Sequence, residues 1–142
     1  MKICLLMLGK TRRPEMVSTL DDYVKRISRS CAIEVIEVRD GAAVLKRLDA
    51  NRAAASVLLD ADGKVYDSDA FAKWIGEQRD RGMRELILIC GDADGFPESL
   101  RVRVKQQLSL SAMTYSHELA RVMLAEQIYR AFAILSGSSY PK

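Results

Sequence analysis

Apolar residues follow two alternating rhythms along this chain: short unbroken runs, and stretches in which they recur every three or four positions. The first run fills residues 2–8 and leads into a Gly-Lys-Thr-Arg-Arg-Pro turn that starts at Gly9. Residues 14–30 then place Met16, Leu20, Tyr23, Val24 and Ile27 on one side of a predicted helix. Residues 33–38 are β-branched and partly alternating, which predicts a strand. A helix is expected over 42–54, then a short buried strand over 56–60 closed by a turn at Asp62-Gly63. Ser68 is placed to cap a helix over 69–81, with Phe71, Trp74 and Ile75 as its core face. Residues 86–90 are continuously apolar, the pattern of a central parallel strand covered on both faces. The loop Gly91-Asp92-Ala93-Asp94-Gly95 follows, and Pro97 suits the first turn of a helix over 97–107. Residues 109–114 read as a last short strand or an extended loop, and a long helix over 117–136 precedes Gly137.

This alternation predicts an α/β fold: a parallel-rich sheet with helices on both faces. Such sheets bind ligands at the C-terminal ends of their strands. The chain has 142 residues, room for a single domain over 1–142 but not for separate cofactor and substrate domains. No apolar run is long enough to cross a bilayer. Lys10, Arg12 and Arg13 stand where a signal peptide would have its small-residue cleavage site, so the opening run is expected to be a buried strand in a cytoplasmic protein.

The last helix is apolar around more than half its circumference, through Leu119, Val122, Met123, Leu124, Ala125, Ile128, Ala131, Phe132 and Leu135. A helix on the surface of a monomer needs a stripe only about 100° wide. The excess belongs either inside the fold or at a subunit interface, and a dimer is expected. Glu126 and Arg130 form an i,i+4 pair, either a solvated strip or a contact with RNA or a second subunit.

Composition adds exclusions. Cys4, Cys31 and Cys90 lack metal-ligand spacing and read as small buried hydrophobes in a reducing compartment. His117 is the only histidine, which excludes a His-rich metal site, and no metal is expected. A net charge of +3 permits an RNA partner without indicating one.

Two segments carry candidate chemistry. The Gly91–Gly95 loop lacks the ending of a phosphate-binding P-loop and is not the dinucleotide fingerprint. Its glycines allow close backbone approach to a ligand, or simply make a turn into Pro97. Its aspartates disfavour phosphate and suit a cationic or hydroxyl-bearing ligand. The run from Leu108 to His117 is rich in small hydroxyl residues between apolar segments. Extended backbone there can meet an adenine edge. Equally, it can be a short edge strand ending in a Ser116 helix cap.

Ser109-Leu110-Ser111-Ala112-Met113-Thr114, then His117, Arg121-Val122 and Glu126-Gln127-Ile128-Tyr129-Arg130-Ala131, closely resemble the C-terminal signature of the ribosomal RNA large subunit methyltransferase H family. These are pseudouridine N3-methyltransferases of the SPOUT class. Val57-Leu58-Leu59-Asp60 with Gly63-Lys64, the Gly91–Gly95 loop, and the opening strand with Gly9-Lys10 extend the likeness over nearly the whole chain. The resemblance implies a SPOUT-type α/β domain with a C-terminal trefoil knot, S-adenosylmethionine as cofactor, a homodimer, and a pseudouridine of 23S rRNA in the assembled ribosome as substrate. Carried over by position, the cofactor contacts are Leu59, Gly91, Asp92, Gly95 and the run Ser111, Ala112, Met113, Thr114, Tyr115 and Ser116. Arg121 and Arg130 are the candidates for RNA binding or anion stabilisation, His117 for acid–base work, and Tyr140 for a further catalytic role. Arg12, Arg13, Arg101, Arg103 and Lys105 are candidates to track phosphates, or plain surface charge.

Two departures stand out. Asp92 replaces the family's second loop glycine, either crowding the cofactor or facing a ribose hydroxyl or ammonium group. The tail reads Tyr140-Pro141-Lys142, without the family's histidine. They keep open a rival role as a non-catalytic, ribosome-associated RNA-binding knot protein. A small-molecule-binding α/β regulatory domain is the other alternative.

Overall fold

The computed structural model describes residues 1–140; Pro141 and Lys142 of the expected tail lie outside the described residues. The elements run β1 (Lys2–Leu8), α1 (Pro14–Ile27), β2 (Ala32–Val38), α2 (Gly41–Ala50), β3 (Ala55–Val65), α3 (Ser68–Asp80), β4 (Glu85–Cys90), α4 (Glu98–Arg103), β5 (Gln106–Ser109) and α5 (His117–Leu135). The strands form one sheet in the order β2-β1-β4-β3-β5, and every named pair is parallel. The central strands β1 and β4 are the most apolar in sequence, and all six residues of β4 are buried.

Successive strand residues point to opposite faces, so each central strand feeds two cores. Ile3, Leu5, Met7, Leu86 and Leu88 pack with side chains of α1, α3 and α5, among them Leu20, Phe71, Ile75, Leu124 and Ile128. Cys4, Leu6, Leu8, Ile87 and Ile89 pack with Val44 and Leu48 of α2 and Leu100 of α4. Helices therefore cover both faces, as the alternation predicts.

Most differences from the sequence reading are at element ends. The first helix stops at Ile27, three residues short of the expected end, where Ser28 caps it. The second stops at Ala50 because Asn51 leaves helical geometry. Asp67, not Ser68, caps α3: its carboxylate accepts the Ala70 N–H at 2.7 Å, while the Ser68 hydroxyl donates to Gln127 at 2.8 Å.

Two differences reshape the ligand-binding end. The fourth helix spans only Glu98–Arg103, and the last strand comes earlier than expected, at Gln106–Ser109. Val104 is already extended, so the chain reaches the sheet edge sooner and leaves 110–116 as a loop. The Asp62-Gly63 turn does not close β3. Its register against β5 shifts between Leu59 and Lys64, so the turn is a bulge after which the strand resumes. A Cβ at Gly63 would lie 2.6 Å from the backbone of Gln107 and Leu108, which makes glycine the residue that lets the strands close again.

The apolar excess of α5 goes largely inside. Val122, Leu124, Ala125, Ile128, Ala131, Phe132 and Ala133 are buried within this one chain, between α1, α3 and the sheet. The girdle of apolar positions thus has an internal explanation, and the dimer expectation loses that support. Gly137 ends the helix in the left-handed region at φ 75°; the Ser138 N–H reaches the Ala133 carbonyl at 2.8 Å and the Gly137 N–H reaches that of Ile134 at 3.1 Å.

Candidate functional site

The bulge within β3 and the loops at the C-terminal ends of β4 and β5 enclose a cavity of about 260 Å³. The β3 bulge contributes Leu59, Asp60 and Ala61; the loop after β4 contributes Cys90 to Ala93, Gly95 and Phe96; the loop after β5 contributes Ser109, Leu110, Ser111, Met113, Thr114 and Tyr115. Arg101 of α4 and His117 and Ala120 of α5 complete the wall.

Each loop is shaped by its own sequence. A Cβ at Gly91 would lie 2.8 Å from the Gly95 carbonyl oxygen, so the loop folds tightly back on itself only with glycine there. Gly95 takes φ 80°, and its N–H closes the turn onto the Asp92 carbonyl at 3.0 Å. The Asp92 carboxylate accepts the Asp94 N–H at 2.8 Å, an Asx turn inside the loop. No residue other than glycine has positive φ among the described residues, so Asp92 fits the backbone without strain.

The hydroxyl-rich run has a structural logic of the same kind. Ser109 Oγ donates to the Ser111 carbonyl at 2.7 Å, and Ser111 Oγ accepts the Met113 N–H at 3.0 Å. These side chains replace ladder bonds and hold 109–113 in an irregular path. Residues 111–116 lie outside helix and strand, so their backbone groups are not committed to a ladder.

Of the sequence-predicted cofactor residues, Leu59, Gly91, Asp92, Gly95, Ser111, Met113, Thr114 and Tyr115 line the cavity; Ala112 and Ser116 do not. Both are exposed, and the Ser116 side chain makes no capping bond to α5. His117 lines the cavity.

Arg121, a candidate for RNA binding or anion stabilisation, lies inside the fold. It is fully buried. Its Nη2 donates to the Leu8 carbonyl at 2.7 Å and the Gly91 carbonyl at 3.2 Å; its Nη1 donates to the Gly9 carbonyl at 3.1 Å and to Thr11 Oγ1 at 2.9 Å. The guanidinium thus clasps the carbonyl ends of two central strands. Its fork of donors suits that task better than the single ammonium of lysine would. Direct RNA contact is closed to it by burial.

Arg130 and Tyr140 form a separate cluster. Arg130 Nη2 pairs with Glu126 Oε2 at 2.8 Å, the Tyr140 hydroxyl donates to the same oxygen at 2.9 Å, and the Tyr140 ring packs edge-on against Tyr129. Partial burial, with hydrogen bonds to Tyr23 and Glu126, pushes the Tyr140 hydroxyl pKa up. Neither residue lines the cavity. Arg130 lies 13 residues beyond His117 on α5 (130 minus 117), which corresponds to roughly 20 Å along the helix axis.

The sequence offers Asp60 only within the Val57–Asp60 likeness and Arg101 only as a candidate to track phosphates or plain surface charge, and it does not point to Phe96. Asp60 lies at the bulge of β3, where the buried part of the strand ends, a position that is itself a signal. Arg101 forms an ion pair with Asp60, and its guanidinium lies 6.0 Å from the Phe96 ring centroid, but nothing in the local sequence pattern reveals that pairing. Burial pushes the Cys90 thiol up to about 12, so it is an apolar wall and no nucleophile. No group of three or more His, Cys, Asp or Glu able to hold a metal occurs among the described residues.

A family described as "Predicted SPOUT methyltransferase" matches residues 1–141. The chain is 39% identical over 151 aligned positions to a ribosomal RNA large subunit methyltransferase H of Pelobacter propionicus, covering 99% of each protein. It is 40% identical over 143 positions to the protein of that name from Solibacter usitatus, again with 99% of each covered. Among solved structures, the SpoU methyltransferase AviRb of Streptomyces viridochromogenes, in complex with its cofactor AdoMet, superposes with a TM-score of 0.53 at 12% identity. That alignment covers 96% of this chain and spans 58% of that one, a likeness of fold.

Proposed function

This chain belongs to the SPOUT methyltransferase family, and on that premise we propose that it methylates N3 of a pseudouridine in 23S rRNA of the assembled ribosome, using S-adenosylmethionine. The observation that carries this reading is the end-to-end identity with large-subunit rRNA methyltransferases, over a chain in which the β3 bulge and two strand-end loops enclose one cavity. The protein is accordingly placed in the cytoplasm, with its C-terminal part threaded as a trefoil knot in one domain over 1–142, and acting as a homodimer. Leu119 and Ile134 of α5, each 37% exposed, are apolar surface available to a second copy.

The cavity suits the proposed cofactor. Leu59, Leu110 and Ala120 offer apolar wall to a planar base, and the backbone of 111–116, which joins no sheet ladder, offers to its edge those N–H and C=O groups that its own turns leave free. Asp92 supplies an acceptor for ribose hydroxyls or an ammonium group. At about 260 Å³ the cavity is near the lower end of the roughly 300–1,000 Å³ usual for small-molecule sites. A nucleoside-sized ligand would fill it and leave one end at the surface, as transfer to an RNA base requires.

When bound, the sulfonium cofactor supplies an already activated methyl group, so no metal is needed. The protein's part is positioning, which can supply much of the rate of an in-line displacement. His117, which lies on the cavity wall, is assigned to take the N3 proton. Arg121 positions the Gly91 loop from beneath. Arg130 and Tyr140 are assigned to RNA contact at a second point, away from the cavity.

Calorimetry with S-adenosylmethionine, followed by transfer of labelled methyl to intact ribosomes, tests the reading. Saturable binding and ribosome-dependent transfer are expected. Absence of cofactor binding by the wild-type protein would overturn it. Asp92→Gly bears on the non-catalytic rival. The carboxylate is tied into its own turn, so removing it should loosen the loop and weaken cofactor binding; tighter binding by the variant would show that Asp92 obstructs the site.

A further inference from the structure

The segment joining β1 to α1 lies outside helix and strand yet is pinned along its length. The Gly9 N–H reaches the Val38 carbonyl at 2.8 Å and the Thr11 N–H reaches Glu37 Oε2 at 2.7 Å. The Arg12 and Arg13 N–H groups donate to the two oxygens of Glu118 at 3.1 and 3.0 Å. Arg121, one turn further along α5, holds the Gly9 carbonyl and Thr11 Oγ1. A connection this short could be left loose; here two charged side chains of α5 fix it.

What the fixed backbone presents is positive charge. Arg13 is paired with Glu15 at 2.9 Å, whereas Lys10 and Arg12 are exposed and form no ion pair with any described residue. The two carboxylates hydrogen-bonded to the segment, Glu37 and Glu118, are occupied by its backbone N–H groups. The segment also borders the cavity. A Cβ on Gly9 would sit 3.8 Å from that of Asp92, and one guanidinium bonds both Gly9 and Gly91. Two unpaired cations on a pre-ordered backbone, beside an opening for an RNA base, bind phosphate with little ordering cost.

We propose that residues 9–13 form a preorganised phosphate-binding arm, in which Lys10 and Arg12 engage RNA backbone phosphates flanking the target base while Glu118 and Arg121 hold the arm in place. This rests on the rRNA substrate proposed above and names the contact that docks it.

The test compares wild type, K10Q/R12Q, and a charge-matched control, R81Q/R84Q, which removes two exposed cations around the loop that leads into the opposite end of β4. Equilibrium binding to intact ribosomes is measured across a salt series, with methyl transfer and S-adenosylmethionine affinity in parallel. For K10Q/R12Q, the log–log salt slope should become shallower by roughly 0.7–0.9 per lost phosphate contact, and the low-salt Kd should rise roughly tenfold. KM for ribosomes should rise with kcat and cofactor affinity unchanged, while R81Q/R84Q stays close to wild type. An unaltered slope in K10Q/R12Q, with wild type binding and methylating ribosomes, would overturn the arm and leave the proposed function standing. An equal loss in both double variants would also overturn it, as an effect of net charge alone. Wild-type protein that neither binds nor methylates ribosomes would overturn arm and function together.

Discussion

Arg121 and Glu118 show how much one turn of helix can settle. Arg121 is fully buried and answered by three backbone carbonyls and one hydroxyl. Substituting methionine leaves those acceptors without their donor, and hydrogen bonds to charged groups are worth about 1.5–3 kcal/mol each. We expect Arg121→Met to lower unfolding stability in urea by on the order of 3 kcal/mol or more, and Arg121→Lys, which keeps the charge but not the fork, to recover only part of it. Glu118 makes the matching prediction in pH. Backbone N–H bonds from Arg13 and Arg12 hold its carboxyl below its ordinary value of 4.5, so the folded state favours the ionised form. Its stabilising contribution is complete above about pH 4.5 and is lost as pH falls through the lowered folded value. The Tm difference between wild type and Glu118→Gln should therefore be constant near neutrality and shrink in acid; a difference that grew in acid would contradict this. Cysteine reactivity follows burial: Cys4, pushed up to about 11, and Cys90, up to about 12, should resist alkylation in the native protein, while half-buried Cys31 reacts first.

At the scale of elements, the cavity depends on glycines placed where backbones nearly touch. Gly91→Ala puts a methyl 2.8 Å from the Gly95 carbonyl, and because the neighbour is backbone it cannot swing aside. Cofactor affinity should fall at least tenfold with little change in overall stability, read by calorimetry beside a urea titration. Gly63→Ala acts elsewhere, because its methyl would press on Gln107 and Leu108 where β3 rejoins β5. There the expected first loss is stability, seen as a lower urea midpoint. The sequence showed both loops as glycine-containing turns. It did not show that one of them is a bulge within a continuing strand, because that requires the partner strand β5, more than forty residues further on.

For the whole molecule, the two cores divide the central strands by parity, and each is anchored by residues in continuous apolar runs. Leu88, 2% exposed at the middle of β4, should cost about 2–5 kcal/mol when cut to alanine, measured by chemical denaturation. Sedimentation equilibrium decides the proposed homodimer: a monomer at micromolar concentration would remove it, and would fit the internal burial of most of α5's apolar surface.

The sequence alone determined the alternation of strands and helices and the buried centre at β1 and β4, because each is written in local periodicity, while the three segments around the cavity are named by the family resemblance. That resemblance also brings Arg121 forward, as a candidate for RNA binding or anion stabilisation. Only the tertiary structure decided that Arg121 points inward to strand-end carbonyls, that Glu118 braces a loop over a hundred residues away, and that Arg130 and Tyr140 stand apart from the cavity. Those facts depend on which distant backbone groups meet each side chain, and helical spacing on one element carries no record of its neighbours.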